Sequence, residues 1–181
     1  MVTPPLPLAT YDISYHSTPM TLSTADKNNI YSLFLTNMKA LYLKSRGGLS
    51  EPDKVAELFC VTESRYLIVR DSATQKIVAF THFRFTDDFD EVDSSGSESE
   101  GDEAIKRIRP QECAYVYEIQ VSPGVRCGLG RRMMDLVELC ALHEGMPKVS
   151  LTVFHSNLAA VRFYAKLGYM VDSAIDPNSN R

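Results

Sequence analysis

Three arginines and two glycines stand together in Arg126-Cys127-Gly128-Leu129-Gly130-Arg131-Arg132. The ten residues from Glu112 to Val121 (ECAYVYEIQV) precede them and read as a strand. Leu129, Met133, Leu136, Val137 and Cys140 then recur along one helical face. A helix that starts here exposes N–H groups with no partner inside the helix, and its dipole adds partial positive charge. Gly128 and Gly130 let an anion approach the backbone with no Cβ in the way, and the arginines surround it with cations. The chemistry this arrangement suits is binding of a phosphate or pyrophosphate. A tight turn between strand and helix is the other reading of the same residues. A phosphate loop is excluded because no Gly-Lys-Ser/Thr follows, and the dinucleotide fingerprint because Met133 stands where its third glycine belongs.

Such a site needs a sheet and helices to hold it, and 181 residues suffice for one domain with one core. At 44% hydrophobic and 23% charged, the chain has a globular composition, which excludes a collagen, a coiled coil and bulk disorder. No apolar run approaches the ~18 residues of a membrane span. No basic stripe with interleaved aromatics points to nucleic acid. Cys60, Cys113, Cys127 and Cys140 lie far apart with no Cys-x-x-Cys pair, so reduced thiols and no metal are expected. Met1 to Thr10 has three prolines and no Lys or Arg, unlike a secretory signal. Residues 87–103 hold nine of the 23 carboxylates and no base, leaving 14 acids against 19 bases elsewhere. A mildly basic body with one acidic segment suits an anionic cofactor and a cationic substrate.

Residues 1–23, with Pro4, Pro5, Pro7 and Pro19, read as an extended arm, and 24–181 as the domain. Ile30, Leu33, Phe34, Met38 and Leu41 predict a helix over 26–44, capped near Thr24 or Asp26. A short helix follows over 53–59, then a hairpin of strands at 65–70 and 77–85. The acidic, serine-rich stretch from 87, an insertion reaching to about 110, is too poor in apolar residues to offset chain entropy and is predicted to be disordered. After the strand and helix around the glycines come a strand at 148–154, a helix at 157–167 ended by Gly168, and a last strand at 168–172. This order gives an α/β (α+β) domain with a mixed central sheet flanked by helices.

The last helix adds a second motif. Asn157-x-x-Ala160-x-x-Phe163-Tyr164-x-x-Leu167-Gly168-Tyr169, one strand after a Gly-x-Gly helix start, resembles the GCN5-related N-acetyltransferase (GNAT) superfamily. That resemblance implies acetyl-CoA as cosubstrate, with its pyrophosphate at the glycine turn, its pantetheine arm at Asn157 and its sulfur near Tyr164. Asn157 also reads as a helix cap, and Phe163 and Tyr164 as core aromatics. Thr36-Asn37-Met38 with Tyr42, then Phe80-Thr81-His82-Phe83-Arg84-Phe85, and above all Tyr115-Val116-Tyr117-Glu118-Ile119-Gln120, resemble the NatD family. Those enzymes acetylate the N-terminal amine of core histone tails that begin Ser-Gly-Arg-Gly-Lys. The resemblance implies catalytic and amine-positioning roles for Glu118, Tyr117, Tyr115 and Tyr164. It implies a peptide groove lined by Tyr42, Thr86, Asp87, Asp88, Tyr117 and Thr152. It places coenzyme A on Ile119, Gln120, Val121, Arg126, Cys127, Gly128, Leu129, Gly130, Arg131 and Asn157. A monomer meeting histone peptides in cytoplasm and nucleus is expected, with no nucleic acid, membrane or metal partner. Val125 stands where the superfamily turn usually has Gln or Arg, and the chain has no tryptophan where NatD enzymes usually carry one after the Tyr42 position.

The residue types suit acetyl transfer. A protein α-amine titrates at ~7.7 to 8, against ~10.4 for lysine, so a weak base suffices to free it. Glu118, following Tyr115 and Tyr117 in the strand, can take that proton directly or through water, and burial beside aromatic rings raises its basicity. Backbone N–H groups near Ile119 to Val121 can hold the carbonyl oxygen, and Tyr164 can donate to the leaving thiolate. Asp87 and Asp88 can pair with the cations of a basic tail. Direct transfer is expected, because no His or Asp motif accompanies Cys127 or Cys140 as a nucleophile. The other readings are transfer to a lysine or small-molecule amine, and a non-catalytic module binding acyl-CoA or histone tails.

Overall fold

The computed structural model describes residues 11–92, 107–125 and 128–171. Five strands form one mixed sheet in sequence order: β1 (Tyr11–His16), β2 (Arg65–Asp71), β3 (Ile77–Val92), β4 (Arg107–Val121) and β5 (Val149–Leu151). Neighbours run antiparallel except β4 and β5, which are parallel. Four α-helices accompany the sheet: α1 (Thr24–Lys44), α2 (Glu51–Phe59), α3 (Leu129–His143) and α4 (Leu158–Leu167). Period-two alternation in β2 builds a core on each face. Tyr66 and Ile68 pack with Ile30 and Phe34 of α1 and Leu58 of α2. Leu67 packs oppositely, with Phe83, Val116 and the α3 residues Met134 and Val137.

Local chemistry sets the helix ends. The Ser23 hydroxyl accepts the Asp26 N–H at 3.1 Å, so α1 starts at Thr24, slightly earlier than the apolar pattern predicts. Pro52 sits in the first turn of α2, where its missing N–H costs nothing, and the helix begins at Glu51. Asn157 caps α4 through its side-chain oxygen, and Gly168 at φ 93° closes it.

The structure departs from the sequence expectation at the sheet's margins. Residues 11–16, within the expected arm, pair with β2 from Tyr11↔Asp71 to His16↔Tyr66. The β3–β4 ladder continues through Asp87↔Glu112 to Val92↔Arg107. Backbone hydrogen bonds thus order both flanks of the expected disordered insertion despite its poverty in apolar residues. The rest of it, 93–106, lies outside the described residues. β5 is three residues long instead of seven. No strand follows Gly168 among the described residues, and Met170 and Val171 are almost fully exposed.

One irregularity fixes the site. His82 pairs with Glu118, but the next residue, Phe83, pairs with Val116, so Tyr117 is an extra residue in β4. This β-bulge shifts the alternation of side chains by one. Before it, Ala114 and Val116 pack on the α3 side; after it, Ile119 does. Tyr115, Tyr117, Glu118 and Gln120 are consequently gathered on the α1–α2 face. There His82 is fully buried, stacked between Tyr66 and Tyr117 at 5.2 and 5.1 Å, with Nε2 3.0 Å from the Ser64 hydroxyl.

Burial, and then the charges of Arg84 and Lys54, depress His82 from 6.5 to about 3. The unfolded chain therefore binds a proton that the folded chain refuses between those values, and stability falls as pH drops below 6.5. Between pH 6.5 and 5 this amounts to on the order of 1–2 kcal/mol. Urea denaturation across that range is expected to show this loss in the native chain and a flatter profile in His82→Phe. Equal slopes would contradict it.

Candidate active site

β4 and β5 pair only at Ala114↔Val149, Tyr115↔Ser150 and Val116↔Leu151, then part. A cleft of about 1010 Å³ opens between them, bounded also by α1, α2 and the starts of α3 and α4. The Ser122 N–H donates to Val78 C=O of β3 at 2.7 Å. Strand alternation then turns the backbone groups of Ile119 and Val121 to the opposite edge, into the opening, where the Val121 carbonyl accepts from Asn37 at 3.0 Å. A splayed strand with free N–H groups can bind an extended amide-bearing chain or hold a carbonyl oxygen.

Glu118 sits at the inner end of this cleft, 5% exposed. Lys54 Nζ of α2 lies 2.8 Å from its Oε1, and Gln120 Nε2 donates to its Oε2 at 2.7 Å. Asn37 of α1 donates to Gln120 Oε1 at 2.9 Å and to the Val121 carbonyl at 3.0 Å. Lys54 also meets Glu57 at 2.6 Å, and its ammonium lies 5.0 and 5.6 Å from the ring centres of Phe34 and Tyr42. A chain of polar contacts thus runs from α1 through β4 to α2.

Burial pushes Glu118 above the usual carboxylate range, opposed by the charge and hydrogen bond of Lys54. Burial also works against a charged Lys54, but Glu118 and Glu57 outweigh it and raise the ammonium's pKa. The two shifts pull the pair in opposite senses, one toward a neutral acid and the other toward a charged base. Geometry decides: both Glu118 oxygens accept from donors, the arrangement of a carboxylate. Glu118 is therefore an ionised group made more basic by burial. Two carboxylates share one ammonium, so the cluster keeps a net negative charge suited to an incoming cation. Burial, then the Glu118 charge, raises the Tyr164 hydroxyl, which stays protonated and able to donate.

The outer end is the start of α3. Gly128 is its N-cap at φ 76°, with no side-chain cap bond, and no acid lies in the first turn. These N–H groups retain the dipole and face no competing carboxylate, as an anionic diphosphate requires. Gly128 is needed for its left-handed backbone. Gly130 is needed for another reason: a Cβ there would come within 3.2 Å of the Phe163 ring of α4. Its role is close packing of the two helices that frame the opening.

The cleft brings together most of the sequence-predicted residues: Tyr42, Tyr115, Tyr117, Glu118, Ile119, Gln120, Val121, Gly128, Leu129, Gly130, Arg131, Thr152, Asn157 and Tyr164 all line it. Tyr115 and Thr152 hydrogen-bond through their hydroxyls where the strands part. Asn157 spends its side-chain oxygen on the α4 cap. The Gln120 side chain turns to Glu118. Thr86 and Asp87 do not line the cleft; they pair with Cys113 and Glu112 farther along the hairpin. The Asp88 side chain and residues Arg126 and Cys127 lie outside the described residues. Sequence reasoning missed Lys54, Glu57 and Asn37. The available signal was Lys54 on the apolar face of α2, one turn before the buried Leu58.

Comparison with known proteins bears on the family and the fold. A model of the acetyltransferase (GNAT) family matches residues 29–169. The ribosomal-protein-alanine N-acetyltransferase of Brucella melitensis biovar Abortus 2308 superposes with TM-score 0.60 at 16% identity, over 92% of this chain and 96% of that one. An aminoglycoside acetyltransferase from an uncultured soil metagenomic sample gives 0.55 at 13%, over 93% of each chain. An aminoglycoside N-acetyltransferase in complex with coenzyme A gives 0.56 at 13%, over 94% and 95%. At these identities the solved structures speak to fold alone.

Gly130→Ala sets helix propensity, worth roughly 0.5–1 kcal/mol in favour, against overpacking of Phe163, which costs about 1–3 kcal/mol. Net destabilisation of about 1 kcal/mol is expected by chemical denaturation. In a Phe163→Leu background the same change is expected to become neutral or stabilising. A stabilising Gly130→Ala in the native background would remove the packing role.

Proposed function

The chain belongs to the acetyltransferase (GNAT) family, and on that premise we propose that it transfers acetyl from acetyl-CoA directly to a primary amine, with Glu118 as proton acceptor. The observation that carries the reading is a buried, ionised carboxylate at the inner end of a cleft whose outer end is an anion-binding helix start. Bound acetyl-CoA supplies an activated thioester. The α3 N–H groups hold its diphosphate, and the outward N–H groups of Ile119 and Val121 on β4 align its amide arm. Glu118 receives the ammonium's proton on one of its remaining lone pairs. Tyr115 and Tyr117, brought beside it by the bulge, wall the amine's approach. The Tyr164 hydroxyl donates to the departing sulfur.

A cationic amine is the acceptor this reading favours, drawn by the Glu118 and Glu57 carboxylates that share Lys54, with the Arg84 guanidinium stacked on Tyr117 beside them. A peptide α-amine suits a carboxylate base best, since it lies nearest neutrality. A basic Ser-Gly-Arg-Gly-Lys tail is the specific candidate, supported by Tyr42, Tyr115, Tyr117, Glu118 and Thr152 sharing one cleft. Thr86 and Asp87 give it no support, as they lie outside that cleft. A lysine or small-molecule amine is the second reading, favoured by the likeness to two aminoglycoside acetyltransferases and by the same negative cluster.

A panel assay with free-thiol release and mass-spectrometric location of the acetyl group separates these. Acetyl on the α-amine of the Ser-Gly-Arg-Gly-Lys peptide, reduced at least tenfold when its arginine becomes alanine, is the expected result. Acetyl on a lysine or an aminoglycoside instead would establish the second reading. Glu118→Gln is expected to keep coenzyme A binding within about twofold while kcat falls about 10²–10⁴-fold. An unchanged kcat would remove Glu118 from the chemistry.

A further inference from the structure

Lys54 is a cation in an unusual place. It is 7% exposed, yet it belongs to a short surface helix and reaches into the inner end of the cleft. Its ammonium is enclosed by carboxylates of Glu118 and Glu57 and by the rings of Phe34 and Tyr42. We propose that Lys54 is the positioning residue of the acetyl-transfer site, its fixed ammonium keeping the Glu118 carboxylate ionised and its free lone pairs turned to the cleft. This rests on the reading of Glu118 as proton acceptor.

A carboxylate with this little exposure does not stay ionised without compensation. The groups facing Glu118 are Lys54 and Glu57 of α2, Tyr42 of α1, His82 of β3, Gln120 of β4 and Tyr164 of α4. Glu57 is negative and works against the charge. His82 is held neutral by burial and contributes none. Gln120 gives one neutral hydrogen bond, and the phenols stay protonated. Of these groups only Lys54 brings positive charge. Its two bonds to carboxylates and its contacts with two rings also fix where that charge sits. Oε1 meets Lys54 and Oε2 meets Gln120, so each oxygen keeps one acceptor site for an incoming N–H.

Removing a single partner from a buried pair leaves the other charge uncompensated, and the carboxyl answers by taking a proton. Carboxyl-labelled glutamate NMR on the full chain reads this without any acceptor amine, the Glu118 signal being the one lost in Glu118→Gln. In Lys54→Met the Glu118 midpoint is expected to rise by at least one pH unit, and in Lys54→Arg to stay within about half a unit. Lys54→Gln, which can still donate a hydrogen bond but has no charge, is expected to follow the methionine variant and serves if that one does not fold. With the accepted amine, the acid limb of kcat/KM is expected to move by the same amount, and coenzyme A affinity to hold within about twofold. A midpoint in Lys54→Met or Lys54→Gln equal to the native one would overturn the proposal. A moved midpoint with full turnover in Glu118→Gln would instead overturn Glu118 as base while leaving its pairing with Lys54 intact.

Discussion

One extra residue in β4 determines what the rest of the molecule can do. Without Tyr117 as a bulge, the two-residue repeat that points Tyr115 toward α1 and α2 would turn Glu118 to the other face, among Met134 and Val137. There it would be an unpaired buried charge costing several kcal/mol. With the bulge, two phenols, a carboxylate and a carboxamide share one face. The same strand still sends Ile119 into the opposite core. The bulge also falls where β4 leaves β5. These side chains and the outward N–H groups of β4 therefore meet at one point.

Electrostatics then divides the cleft. Its outer end is a helix start with no acid in the first turn; its inner end holds two carboxylates around one ammonium. On the proposed reading, an anionic cosubstrate and a cationic acceptor would be drawn to opposite ends, with the reacting groups converging between them. The surrounding layer is built to keep this fixed. Asn37 ties α1 to Gln120 and Val121, Lys54 ties α2 to Glu118, and Gly130 lets α3 close on Phe163.

Local signals carried the sequence reading where the determinants are local. The glycines flanking Leu129, the Asn157 cap and Gly168 terminator, the apolar stripe of α3 and the β2–β3 hairpin were all legible, because each depends on neighbours within a turn or two. Glu118 stood out as the acid that follows Tyr115 and Tyr117 in an apolar strand. Lys54 did not, since its partner lies in β4, 64 residues onward, and a lysine in a surface helix ordinarily faces water. The bulge was invisible because nothing in YVYEIQ marks which residue loses its partner. β1 was hidden by the surrounding prolines and by its own weak alternation. The hairpin extension was missed because ladder pairing, unlike burial, does not need apolar side chains. The peptide-facing acids were placed by resemblance alone, and the register sends Thr86 and Asp87 up the hairpin instead.

The account depends most directly on the cleft accepting coenzyme A, with the diphosphate at the α3 start. Titration calorimetry of coenzyme A into the full, folded chain tests this. The account predicts saturable uptake of one molecule per chain. It also predicts weaker binding when a carboxylate is placed in the first turn of α3 by Arg131→Glu. A folded chain that takes up no coenzyme A, or takes it up equally well with that carboxylate present, would contradict it.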